Sequence, residues 1–169
     1  MDSSLEHDQL IRFLLAAKRC TYAAGGTASS TVVAPALPGS HQLEFREGEL
    51  FYRDVYFGEA HFAGQETVYA GPTPIWSMVY SGGFTEKVTE LAEAGEIGQT
   101  LQAALREVPP GLPYRGPARF TQGAYTYLNR VQGGLDWFYG DEAILRGEEE
   151  VYRLNYSGGR LGLMSQFNP

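Results

Sequence analysis

Cysteine occurs once in the 169 residues, at Cys20, which rules out an internal disulfide and a cysteine-rich zinc site. Its place beside the apolar positions Phe13 and Ala17 reads as a small buried hydrophobe rather than a reactive thiol. Lysine is nearly as scarce. Lys18 and Lys87 are the only two, and together with the arginines they face 20 acids, for a formal net charge of −7. The longest cationic run is the pair Lys18-Arg19. Binding to a phosphate backbone or an anionic membrane surface needs clustered cations, so both are disfavoured. No apolar run approaches the roughly 18 residues that span a bilayer. The start, Met1-Asp2-Ser3-Ser4-Leu5-Glu6, is polar and acidic and does not read as a signal peptide. A reducing, cytoplasmic setting is the expectation.

Chemical signatures are equally sparse. There is no Gly-x-Ser-x-Gly elbow, phosphate-binding loop or dinucleotide fingerprint. Ser40 and His41 are neighbours in a strand-like segment, so they point to opposite faces and cannot act as a nucleophile–base pair. His7, His41 and His61 lack helical ligand spacing. His41, Asp54 and Glu66 on adjacent strands could be gathered around a metal, but their spacing does not require it. Neither a metal nor a cofactor is assigned.

What is present is a globular composition, 43% hydrophobic and 20% charged, of a length that suits one domain. A helix is predicted over residues 4–20, where Leu10, Phe13, Leu14, Ala17 and Cys20 recur with helical period and Ser3 with Glu6 has capping-box spacing. The stretch 24–40, rich in small residues and proline, is a connection of uncommon length. Period-two strands are expected at 41–46, 49–57, about 65–70 and about 74–80. Thr85 is expected to cap a second helical region, kinked or split at Gly95 and Gly98, which ends at Pro109-Pro110-Gly111. Strands then resume at about 123–131, 135–139, 142–146 and 150–156.

A gapless self-match runs through this order. Phe62-Ala-Gly-Gln-Glu66 aligns with Phe138-Tyr-Gly-Asp-Glu142, and Tyr80-Ser-Gly-Gly83 aligns with Tyr156-Ser-Gly-Gly159. The fold expected from it is α+β: a single, internally duplicated domain of two helix-plus-four-stranded antiparallel meander units. The first unit covers about 5–83 and the second about 85–159, with 160–169 as a tail. The two are expected to pack around a shared core with a pseudo-two-fold relation. Trp76, Met78 and Tyr80 share one strand face, and Tyr152, Leu154 and Tyr156 share another; both sets should lie inside.

The candidate site residues come from polar groups set among apolar ones. Glu66 and Glu142 read either as strand-edge carboxylates or as an acid–base pair facing across the axis. Arg53 and Asp54 lie in a strand with no cleanly polar face, so one of them should be desolvated and therefore paired or used. The gapless alignment sets Asn129 opposite Arg53, suggesting a polar cavity between the halves lined by tyrosines such as Tyr80 and Tyr156. Tyr114 and Arg115 sit in the stiff loop Pro113–Pro117, either as a connector or as a clamp over an anion or ring. His41 completes the set.

Several segments resemble the DUF5680 domain family: Phe13-Leu-Leu-Ala-Ala-Lys-Arg-Cys-Thr-Tyr22, Pro38-Gly-Ser-His-Gln-Leu-Glu-Phe45, Tyr52-Arg-Asp-Val-Tyr-Phe-Gly58, Phe62-Ala-Gly-Gln-Glu66, Pro113-Tyr-Arg-Gly-Pro117 and Trp137-Phe-Tyr-Gly140. The resemblance covers about Leu5 to Gly159. Leu37 departs from it, since relatives often have an arginine before the Pro-Gly-Ser turn. The family has no established activity. Some relatives place a helix-turn-helix domain ahead of this module, which implies sensing or partner binding; no such domain is expected here. The first functional expectation is a non-catalytic binding or sensing module with a Tyr/Arg-lined pocket for a small polar or aromatic ligand. The alternatives are a small hydrolase or isomerase using a Glu or Asp base with His41, and a protein-partner module. No recognisable activated nucleophile is present.

Overall fold

The computed structural model describes residues 3–21 and 33–162. Helix α1 (Ser3–Cys20) is followed by strands β1 (His41–Glu47), β2 (Leu50–Gly58), β3 (His61–Ala70) and β4 (Thr73–Phe84). Helix α2 (Leu91–Arg106) leads to β5 (Arg119–Gln122), β6 (Tyr125–Gly134), β7 (Trp137–Arg146) and β8 (Glu149–Arg160). The hairpins are tight: Gly71 and Gly147 turn β3 into β4 and β7 into β8 with φ of 57° and 63°, a conformation that costs glycine little.

The strand order overturns the expected architecture. All eight strands form one continuous antiparallel sheet, β1-β2-β3-β4-β8-β7-β6-β5. The two meanders do not pack on each other as duplicated helix-plus-strand units about a pseudo-two-fold. They join edge to edge, with β4 paired to β8 from Trp76↔Arg160 to Phe84↔Tyr152. The physical reason lies in the sheet edges. A free β4 and a free β8 would each leave a row of backbone donors and acceptors unpaired, and joining them satisfies both.

The helices form a second layer on one face. α1 lies against β1 and β2, α2 lies against β5 and β6, and the two helices touch. Leu10, Phe13, Leu14 and Ala17 of α1 and Ile97, Leu101, Ala104 and Leu105 of α2 bury their apolar stripes in one cluster with Tyr52, Val68, Trp76, Met78, Ile144 and Leu154 of the sheet. Trp76, Met78 and Tyr80 are buried together, as are Tyr152, Leu154 and Tyr156, as alternation predicts.

Local expectations shift in detail. α2 is one uninterrupted helix that begins at Leu91, with Glu90 as its N-cap. Thr85 does not cap it; its hydroxyl donates to the Glu150 carbonyl instead. The expected strands 135–139 and 142–146 are a single strand, β7, and β5 was not anticipated. Cys20 is half-buried rather than enclosed. The side chains of Ser3 and Glu6, most of the 24–40 connection and residues 163–169 of the tail lie outside the described residues. No helix among the described residues is long and apolar enough to cross a membrane.

Candidate functional site

Between the sheet and the helices lies a cavity of about 200 Å³. Its floor is the helix-facing side of β2, β3 and β4, which presents Tyr52, Asp54, Glu66 and Tyr80. Its roof is Lys18 and Thr21 at the end of α1, with Leu101 and Leu105 of α2 and Arg115 beyond it. Asp54 and Glu66 are direct partners across β2 and β3, so their side chains rise on the same face.

Each buried acid has a different companion. Lys18 Nζ lies 2.6 Å from Glu66 Oε2, with both side chains almost wholly removed from solvent. Burial holds the Lys18 ammonium below its ordinary range, against the upward pull of Glu66. Asp54 has no cation within ion-pair distance among the described residues. It accepts the Tyr80 hydroxyl at 2.7 Å. Burial, and after it the charge of Glu66, push the Asp54 carboxyl up to about 7, against the opposing effects of the Tyr80 bond, Lys18 and Arg115. Tyr52 and Tyr80 are held well above the usual phenol range, first by burial and then by the neighbouring carboxylates.

A second polar cluster lies beside the cavity. Arg115 donates through Nε to Glu142 Oε2 at 3.0 Å and through Nη2 to Oε1 at 2.5 Å. Tyr127 and Tyr152 donate to the same carboxylate at 2.6 and 3.2 Å. Burial works against the Arg115 charge, but Glu142, joined by Tyr152 and Tyr127, holds the guanidinium well above its ordinary range. Tyr156 donates to Asn129 Oδ1 at 2.7 Å, and Asn129 Nδ2 donates to the Gly116 carbonyl at 2.8 Å.

Five of the ten sequence-predicted residues thus border the cavity: His41, Asp54, Glu66, Tyr80 and Arg115. His41 is exposed at its rim and stacks on Tyr56, with ring centroids 4.8 Å apart. Asn129, Glu142 and Tyr156 are absent from the cavity wall and belong to the adjoining cluster. Tyr114 is a core residue stacked on Phe138 at 3.8 Å. Arg53 is on the opposite face of the sheet, bound to Glu44 at 3.0 Å and partly exposed. The residue placed like Asn129 is therefore Asp54: Asp54 is registered with Glu66, and Asn129 with Glu142. Glu66 and Glu142 do not form an acid–base pair, since each holds its own cation. His41, Asp54 and Glu66 do not assemble a metal site, and no group able to hold a metal occurs among the described residues.

Lys18, Thr21, Tyr52, Tyr56, Glu59 and Phe62 were missed. Lys18 had a readable signal: it follows Leu14 by four residues on the buried stripe of α1, an uncommon place for one of only two lysines. Tyr52 and Tyr56 share the Asp54 face of β2 by alternation, whereas Glu59 reaches the cavity rim only through the fold of the β2–β3 turn.

A family model described as a domain of unknown function, DUF5680, matches residues 54–161. It takes in Asp54, Glu66, Tyr80 and Arg115 and stops short of Lys18 and His41. No curated protein and no solved structure matches the chain.

Proposed function

The chain belongs to the DUF5680 family, and we propose that it is a binding module whose ligand, a small molecule, occupies the cavity between the sheet and the helices. One observation carries this reading: Asp54, only 6% exposed, presents a carboxyl to the cavity without a cationic partner among the described residues. Structure alone does not require an acid there. On the other side of the β4–β8 seam, the amide of Asn129 accepts a tyrosine hydroxyl at the same 2.7 Å that Asp54 does. An amide holds the tyrosine without the desolvation cost that a carboxyl meets near neutral pH. A carboxyl in that position is explained by something that binds it.

The surrounding groups support a ligand site rather than packing alone. Lys18 and Glu66 fix one wall, Arg115 fixes another, and both are locked by ion pairs, so the cavity is preorganised. A mostly apolar lining with a few convergent polar groups is the usual makeup of small-molecule pockets. The test is a fragment library screened by thermal shift and by NMR on the full chain, in wild type and Asp54→Asn. Ligands that stabilise the wild type and lose most of that effect in Asp54→Asn support the reading. A cavity silent to every fragment, with the variant folded, would refute it.

Catalysis is the second reading, and the same carboxyl favours it. An acid near neutrality beside Glu66 has the protonation behaviour of a general acid or base. Among the described residues the cavity wall has no serine or cysteine, Lys18 and Glu66 are held by each other and the Thr21 hydroxyl donates to the Ala17 carbonyl, so this reading is one of proton transfer or isomerisation by Asp54. Turnover abolished in a folded Asp54→Asn variant would select it.

A further inference from the structure

We propose that the ligand of this cavity is a small protonated amine on an aromatic or apolar body, with its ammonium seated against Asp54 and the Tyr80 hydroxyl oxygen. The inference rests on the reading of the cavity as a ligand site and adds the chemical class of the ligand.

The charged and titratable groups that face the cavity among the described residues come from every element around it. From α1 comes Lys18, and from the segment after α2 comes Arg115. The strands and the β2–β3 turn supply Asp54, Glu66 and Glu59, with His41 at the rim. Lys18 is occupied by Glu66 at 2.6 Å, and Arg115 is occupied by both oxygens of Glu142. Neither cation remains available for an incoming anion. The groups left over are Asp54 and Glu59, both acids, and the exposed imidazole of His41, which stacks on Tyr56 at the rim; no ion pair to any of the three occurs among the described residues. An anion here would meet uncompensated carboxylates, whereas a cation would supply the partner that a buried carboxylate lacks.

The walls suit a cation in a second way. Tyr52, Tyr56, Phe62 and Tyr80 surround the space, and aromatic faces attract an ammonium by their quadrupoles. At about 200 Å³ the cavity has room for one ring and a short chain. Proton linkage follows from this placement. Asp54 is held near pH 7 by burial and Glu66, with Lys18, Arg115 and the Tyr80 bond opposing them. An ammonium stabilises the ionised carboxylate, so binding below that pH must expel the Asp54 proton to solvent.

The test is isothermal titration of the full chain with phenethylamine, its neutral analogue phenethyl alcohol and its anionic analogue hydrocinnamate, at about pH 6 and about pH 8. The amine should bind and the two analogues should not. Its affinity should be about tenfold greater at the higher pH, as expected when only the ionised carboxylate is competent. Proton release should appear at the lower pH, and the preference for the amine should vanish in Asp54→Asn. The inference is overturned if either analogue binds as tightly as the amine, if amine affinity ignores both pH and Asp54→Asn, or if no amine binds. Cavity tyrosine resonances separate the two levels of failure. If neutral or anionic fragments shift them and amines do not, only the amine assignment falls; if no fragment of any charge does, the ligand-site reading falls with it.

Discussion

Tyr80 and Tyr156 stand directly opposite each other where β4 pairs with β8. Each reaches over a glycine on the next strand to a polar group one strand further on. Tyr80 crosses Gly64 of β3 to Asp54 of β2, and Tyr156 crosses Gly140 of β7 to Asn129 of β6. The glycines are required by this crossing. A Cβ on Gly64 would lie 2.5 Å from the Tyr80 hydroxyl oxygen, and one on Gly140 equally close to that of Tyr156. The two arrangements differ in the group that accepts the hydroxyl: a titratable acid on one side of the seam, a permanently neutral amide on the other.

Gly64→Ala should therefore cost about 1–3 kcal/mol, as other overpacking substitutions do. It should also displace Tyr80 and weaken any ligand that uses Asp54. Urea denaturation gives the first quantity, and fragment binding to the variant gives the second. A variant as stable as wild type that binds fragments normally would show that Tyr80 does not need the glycine.

Lys18→Met leaves the Glu66 carboxylate buried without its cation and should destabilise the chain by about 3–5 kcal/mol. Adding Glu66→Gln should recover a large part of that loss, because the uncompensated charge is removed. A double-mutant cycle by chemical denaturation measures the coupling. Simple additivity would mean that the 2.6 Å pair contributes nothing specific.

Arg115→Lys retains the charge and loses the planar fork that meets both oxygens of Glu142. A loss of about 1.5–3 kcal/mol is expected, the range for a hydrogen bond to a charged group. Arg53→Ala should cost less than about 1 kcal/mol, because its pair with Glu44 is partly exposed on the far face. The contrast between the two arginines, read in one denaturation series, checks their assignment to opposite faces of the sheet.

Asp54 predicts a pH dependence with a definite sign. Its carboxyl is raised from an ordinary value of 3.8 to about 7 in the fold. Between those values the folded chain keeps a proton that the unfolded chain has released, so rising pH favours unfolding through this group. Below the window both states are protonated, and above it both are ionised, so the contribution levels off at each end. Asp54→Asn should gain on wild type by up to a few kcal/mol as pH rises from about 4 to about 7, then hold a constant advantage. Urea midpoints of the two proteins across that range test it. A difference that stays flat would mean that Asp54 ionises at its ordinary value.

Much of the local structure was legible because periodicity records burial directly. The α1 stripe and the inward-facing Trp76, Met78 and Tyr80 follow from residue order. Arg53 and Asp54 show where that stops. Alternation places them on opposite faces but cannot say which face meets the helices when both rows mix polar and apolar residues. The gapless alignment chose Arg53 as the counterpart of Asn129, and strand register chose Asp54, one residue on. Glu66 and Glu142 stand out in the self-match, but their partners Lys18 and Arg115 lie 48 and 27 residues away in sequence.

By itself the sequence determined where most of the helices and strands lie, which apolar rows must be buried, and that no internal disulfide or clustered cationic run contributes. These depend on spacing and composition within a few residues. Only the tertiary structure decided that β4 meets β8 in a single sheet, that each cation is matched to one glutamate, and that Asp54 is left facing a cavity with a tyrosine and no cation. Those outcomes depend on which distant edges and charges satisfy one another once water is excluded, a competition that no local pattern records.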